Sequence, residues 1–309
     1  MQARVTIGFR RAELAVCALL ALVLVVAGHQ VAARGEEPAP AAAKPDTCQR
    51  AKFRVVVDVG HTIDVPGAIS ARGIPEYAFN LQLAREVKQA LGEAGFDQAT
   101  LLITATPPWR GLFERAARAN AMHANLFIAI HHDSVPDNLL QTWQYAGEEQ
   151  RYNDDYPGYA IFISNDNPER AGSLMFSRFL GTELQARGLQ YTPHYTLALM
   201  GHRRRELVDA KAGVYRYDQL IVLRETHMPA VLLEAGSIVN RQEELQLATP
   251  ERRARTSAAI VAAVEDFCAA RAKPVEAQSR TPVKHVNLAA PPRRALTPAR
   301  SGSYAMPMR

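Results

Sequence analysis

Residues 54–68 read RVVVDVGHTIDVPGA, a β-branched apolar run closed by Asp58, Gly60 and His61. Such a run has the composition of a buried strand. A strand whose end projects from a rigid sheet holds its last side chains in a defined direction. His61 therefore becomes informative if comparable groups close other strands.

Working outward, apolar runs and amphipathic stretches alternate. Strands are expected at Arg54–Val59, Thr100–Thr104, Leu126–Ile130, Tyr159–Ser164 and Ala230–Glu234. Helices are expected at Glu76–Ala94, Leu112–Met122, Glu169–Arg187 and from about Pro250 to Ala270. The first helix shows Ala78, Leu81, Ala84, Val87 and Leu91 at helical spacing, with Gly95 as its stop. Continuous apolar strands between helices imply a sheet covered on both faces, and so an α/β domain. A polar stretch from Pro136 to Pro157 carries Trp143, Tyr145, Tyr152 and Tyr156; these line a groove or pack on one another.

The chain has 309 residues, 48% hydrophobic and 22% charged, enough for a substantial core. Arg4, Arg10 and Arg11 precede an apolar run from Leu14 to Gly28 and the small residues Val31-Ala32-Ala33, the pattern of a signal peptide over 1–33. An uncleaved membrane anchor is the competing reading. Residues 34–50 form a Pro/Ala linker, 51–272 the catalytic domain, and 273–309 a basic, Pro-rich tail with too little apolar surface to fold. The expected location is the periplasm or cell envelope. There, Cys48 and Cys268 can pair, tying the approach to the first strand to the last helix, or remain two thiols. The net charge is +5. No nucleic-acid module accompanies it, so nucleic acid is rejected as a partner, and a monomer is the expected state.

Three strand ends carry polar groups that a core does not need: His61, His131 after LFIAI, and Glu234 after PAVLL. Glu76 joins them from the first turn of the first helix. Two imidazoles and a carboxylate suit Zn²⁺, with a fourth position left for water, and a second carboxylate nearby can serve as the base for that water. Each also has a structural reading: His61 as a strand-end cap, Glu76 as a favourable charge at a helix N-terminus, His131 as a satisfied polar residue.

The segments VVVDVGH, RGIPEYAFNLQLAREV, RAARAN…LFIAIH and LIVLRETHMPAVLLEAGSIVN occur in that order from about residue 53 to 268. Together they resemble the zinc-dependent N-acetylmuramoyl-L-alanine amidases of the Amidase_3 type. The resemblance implies a single α/β domain with a mixed, mostly parallel six-stranded sheet and helices on both faces. It implies one Zn²⁺ held by His61, Glu76 and His131, with Glu234 as the catalytic acid/base and peptidoglycan as the substrate. Val59, Thr62 and Ser237 depart from the family's usual neighbours. His132 is a rival ligand, although it should point away from His131's side of the strand.

Secondary roles are expected elsewhere. Arg224, Asn80 and Trp143 are candidate substrate contacts, and Asp58 and Asp133 candidate partners for orienting the histidines. Arg203–Arg205 reads as a solvated face, and His194 and His202 as ordinary loop histidines. The segment SNDNPER leaves no room for the occluding helix that some relatives insert, although an envelope regulator or activator remains a candidate partner. The alternatives to an amidase are a zinc peptidase acting within the stem peptide and a non-catalytic peptidoglycan-binding protein.

Overall fold

A computed structural model describes residues 48–105 and 108–272. The signal-peptide reading, nearly all of the linker and the basic tail lie outside the described residues. The elements are β1 (Val55–Val59), α1 (Glu76–Glu93), β2 (Thr100–Leu102), α2 (Pro108–Ala121), β3 (Leu126–Asp133), β4 (Gln141–Tyr145), β5 (Glu148–Tyr152), β6 (Ala160–Ile163), α3 (Arg170–Ala186), β7 (Glu206–Asp209), β8 (Val214–Arg216), α4 (Ile221–Arg224), β9 (Ala230–Ser237), α5 (Arg241–Leu247) and α6 (Pro250–Ala272).

The central sheet has seven strands in the order β2-β1-β3-β9-β6-β8-β7. The first four are mutually parallel, β6 runs antiparallel to β9, β8 is parallel to β6, and β7 is antiparallel to β8. The expected α/β architecture is present, but with seven strands rather than six. None of the five strands read from the sequence lies between α3 and β9, where β7 and β8 form. Both are short, of four and three residues, and carry Glu206, Asp209 and Arg216, so they lack the apolar run that marks a buried strand.

Alternation divides the sheet residues between two faces. Val55, Val57, Val59, Ile128, Ile130, Val231 and Leu233 pack with Leu83 and Val87 of α1, Phe176 of α3 and Ile260 and Phe267 of α6. Val56, Phe127, Ala129, Ala230 and Leu232 face the opposite layer, with Val222 and Leu223 of α4. The buried stripe of α1 is Phe79, Leu83, Ala84, Val87 and Leu91, shifted from the expected face: Ala78 is exposed and Leu81 only half-buried. This shift matters, because Glu76 and Asn80 belong to the same buried stripe.

The polar stretch 136–157 folds as the separate β4–β5 hairpin, turned through Ala146 and Gly147, both at positive φ. Residues 164–169 lead from β6 into α3. No helix among the described residues is long and apolar enough to cross a membrane.

Cys48 and Cys268 are joined by a disulfide with Cα atoms 5.3 Å apart, closing a sequence separation of 220 residues. It ties the segment before β1 to the end of α6, beside Phe53 and Phe267. Cross-linking so long a loop restricts the unfolded chain, an effect of about 2–4 kcal/mol. Urea unfolding with and without reductant should show that loss, and Cys48→Ala/Cys268→Ala should reproduce it. Identical midpoints in all three cases would show that the bridge does not form in solution.

Candidate metal centre

The parallel register of β1, β3 and β9 sets their carboxyl ends side by side. Val59 pairs with Ile130, and His131 pairs with Glu234. β3 continues to Asp133 and β9 to Ser237, so His131 and Glu234 sit within strands that run past the expected ends. By alternation His131 and Glu234 share the face of Ala129 and Leu232, and a register irregularity follows His131.

His61 lies two residues beyond β1 and takes φ 66°, a left-handed conformation that is costly for a residue bearing a Cβ. That turn brings its imidazole within 4.9 Å, centroid to centroid, of His131. Glu76, in the first turn of α1, lies between them: His61 Nε2 is 3.0 Å from its Oε2 and His131 Nδ1 3.0 Å from its Oε1. One donor atom from each of the three residues falls within 4.8 Å of the others.

Close backbone approach makes room for this cluster. A Cβ on Gly60 would come 2.4 Å from His131 Nε2. One on Gly67 (φ 83°) would come 2.5 Å from Glu76 Oε2 and 2.6 Å from His61 Cδ2. Only glycine fits both places. Two imidazole nitrogens and a carboxylate oxygen converging in a partly buried pocket are the donor set of a zinc site with an open position.

The surroundings hold Glu76 in place. It is 4% exposed, and burial alone would raise its pKa, but the hydrogen bonds from His131 and His61 keep it ionised, well below the ordinary carboxylate range. Asn80 Nδ2 donates to Glu76 Oε1 (3.0 Å) and to the Gly60 carbonyl (3.3 Å), and the Ala68 amide donates to Oε2 (3.1 Å). Asn80 is fully buried, so it positions the carboxylate and offers substrate no surface, contrary to its expected role.

His132 points to the α1 face as alternation requires. Its Nδ1 lies 2.8 Å from Asn80 Oδ1, and its ring packs against Phe79 at 5.6 Å. Burial lowers its pKa to about 3, so it is neutral and donates Nδ1–H to Asn80. It supports the cluster from behind and is not part of it.

The other expectations divide. Asp58 does not touch a histidine: both of its oxygens accept from Arg115 Nη1, at 2.9 and 3.0 Å, and Arg115 in turn donates to the carbonyls of Val59 and His61. Burial pushes Asp58 up to about 6 against the pull of Arg115. Arg115, within the RAARAN helix, thus fixes the turn at His61, a role the sequence reading missed. Asp133 accepts from the Tyr195 hydroxyl (2.6 Å) and the Ser134 amide (2.7 Å), and it too orients no metal-cluster histidine.

Arg224 pairs with its neighbour Glu225 at 2.8 Å and lines neither cavity at the cluster. Trp143 donates Nε1–H to the Ala71 carbonyl (2.8 Å), stacks on Tyr145 and meets Tyr152 edge-on, with Arg72 and Arg241 over its ring. The hairpin aromatics pack on one another rather than on a groove. His194 is buried, 1% exposed, and not an ordinary loop histidine.

Two cavities flank the cluster and share His131, Leu220 and Leu232 as a common wall. The larger, of about 320 Å³, is bounded by His61, Val65, Leu112 and Val222. The smaller, of about 220 Å³, is bounded by Glu234, Tyr195, Tyr217, Arg203 and Arg205. Among the described residues, Glu234 Oε2 is buried without a hydrogen-bond partner. Burial raises its pKa well above the ordinary range, with Asp133 and Glu76 adding to the rise.

Residues 55–266 match the family model described as N-acetylmuramoyl-L-alanine amidase, Amidase_3. The chain belongs to this amidase family. Among curated relatives, the N-acetylmuramoyl-L-alanine amidase AmiC of Neisseria meningitidis is 25% identical over 227 residues, which are 69% of this chain and 52% of that protein. This amidase-family chain thus spans about half the length of that relative. Among solved structures, the amidase Ami1 of Mycobacterium smegmatis superposes with a TM-score of 0.54 at 18% identity, over 71% of this chain and 98% of that one. The CwlD amidase of Clostridioides difficile, solved with the GerS lipoprotein, gives 0.51 at 16% identity, over 71% and 99%. Both share the fold.

The buried, neutral His132 generates a pH dependence of stability. In the unfolded chain it takes up a proton near 6.5, and in the folded protein near 3. Metal-free stability therefore falls as the pH drops through that interval, by up to about 1.4 kcal/mol per unit. Asp58 and Asp133, both raised to about 6, act with the opposite sign between about pH 4 and 6. Denaturant titrations at several pH values should therefore show a shallower loss, or a reversed slope, for His132→Gln than for the unaltered chain. Parallel curves would mean that His132 is solvated.

Proposed function

We propose that this chain hydrolyses the amide joining the lactyl group of N-acetylmuramic acid to the L-alanine of the peptidoglycan stem peptide. The observation that carries the reading is the convergence of His61, Glu76 and His131, with Glu234 directly opposite His131 in the β3–β9 register. Membership of the amidase family supports the substrate. His61, Glu76 and His131 would hold one Zn²⁺. Bound there, zinc would supply Lewis acidity, acidifying an attacking water and polarising the scissile carbonyl.

The protein's own groups do the rest. Glu234, whose Oε2 is buried without a hydrogen-bond partner among the described residues, would, when ionised, accept the proton of the attacking water and deliver it to the departing amine. Arg115 holds the His61 turn, and Asn80 with the Ala68 amide holds Glu76, so the ligands need little reorganisation on binding.

The N-terminal pattern supports export to the periplasm or cell envelope, where the substrate lies. One fold relative is solved with a lipoprotein, which supports an envelope protein as the class of regulator. Since residues 164–169 pass straight from β6 into α3, the purified chain is expected to be active without an added partner.

Purified peptidoglycan digested with the full chain should release intact stem peptides and leave unsubstituted glycan, as identified by mass spectrometry. A chelator should abolish release and zinc restore it. Glu234→Gln should lower kcat by about 10²–10⁴-fold while keeping its zinc. Shortened peptides still attached to glycan would instead establish a peptidase, and no release by zinc-loaded protein would leave only a binding role.

A further inference from the structure

The smaller cavity contains a cation that the expected chemistry does not use. Arg205 enters β7 from a segment, residues 187–205, that folds over the sheet face carrying His131 and Glu234. Its backbone amide is fixed to the Tyr195 carbonyl (2.8 Å), and its Nη1 donates to the carbonyls of His202 and Arg204, each at 2.8 Å. The guanidinium lies over the Tyr217 ring, 3.7 Å from the centroid. Among the described residues it forms no ion pair with a carboxylate. The neighbouring arginines are differently engaged. Arg203 donates to the Ser134 carbonyl (2.7 Å) and lies 3.6 Å from Asp133, while Arg204 donates to the Thr196 carbonyl (2.9 Å).

The side of the scissile bond that meets Arg205 follows from where the acid stands. Glu234 bounds the smaller cavity and not the larger, His61 bounds the larger and not the smaller, and His131 bounds both. A group that protonates a departing amine must stand on the amine's side of the amide. The smaller cavity therefore receives the peptide side, and the larger receives the acyl side.

We propose that Arg205, stacked on Tyr217, is a specificity residue that binds a free carboxylate on the peptide side of the scissile amide, one residue beyond the released amine. This assignment rests on the amidase reading of the same site. A planar guanidinium stacked on an aromatic ring keeps a fixed orientation and presents paired N–H donors to a carboxylate, whereas a neutral carboxamide offers one acceptor oxygen and no charge. A cavity of about 220 Å³ has room for a short peptide segment. The arginine run, which reads in the sequence as a solvated face, is in this respect part of the site.

The test compares two soluble substrates with the zinc-loaded full chain: N-acetylmuramoyl-L-alanyl-D-isoglutamate with its γ-carboxyl capped as the methylamide, and the same molecule with its α-carboxylate also converted to the carboxamide. A charge-assisted contact of this type is worth about tenfold or more in kcat/KM. The carboxylate substrate should be preferred by that factor, mainly through KM. Arg205→Gln should lower its kcat/KM to that of the carboxamide, and Arg205→Lys should restore part of the preference. Thermal unfolding of both variants checks that they are folded. Equal cleavage of the two substrates, or a preference that survives Arg205→Gln, would overturn the subsite and leave the amidase reading intact. Cleavage of neither substrate, nor of whole peptidoglycan, would overturn both.

Discussion

A carboxylate that is 4% exposed cannot remain charged without partners, and the pairing of Glu76 organises everything around it. Its two oxygens divide between two imidazoles, one from the turn after β1 and one from β3, so the end of β1, β3 and α1 must meet at one point. That requirement explains the left-handed turn at His61 and the glycines at 60 and 67, where any Cβ would enter the cluster. It also explains why the buried stripe of α1 includes Glu76 and Asn80 along with its apolar residues. The strain is local, and the packing of the sheet between its helix layers sustains it.

Behind the cluster lies a polar chain that runs from His132 through Asn80 to Glu76, each link a hydrogen bond of about 3 Å. On the opposite face, Arg115 links Asp58 to the His61 turn. These groups are buried and paired, the condition under which polar residues in a core specify one arrangement instead of weakening it. Glu234 differs from them. Among the described residues its buried Oε2 has no hydrogen-bond partner, and burial together with the negative charge of Asp133 and Glu76 favours its protonated form.

The two cavities separate the chemistry by position. They share His131, and each is closed by a different group: His61 with an apolar wall on one side, Glu234 with arginines and tyrosines on the other. Tyr195, Arg203 and Arg205 of the second wall come from the segment between α3 and β8, which also carries β7 at the sheet edge.

What the sequence by itself determined was the α/β class, the main strands and helices, and the four polar residues at strand ends and a helix start. Those signals are local: long apolar runs, helical periodicity, and charged groups where a core has no use for them. His131 could be preferred over His132 from the register of the resemblance, with alternation turning its neighbour to the other face. Only the tertiary structure decided the rest. The strands β7 and β8 are too short to carry a periodic signal, and their place in the sheet comes from pairing, β8 with β6 and β7 with β8. Arg115 and Tyr195 carry no signal of their own in the sequence, because their contacts, with Asp58 and Asp133, are to residues far away in the chain. Trp143 and Asn80 look like substrate contacts, yet their hydrogen bonds are taken up inside the protein. A residue's type states what it can bond to, but only the fold decides which of those bonds are already made.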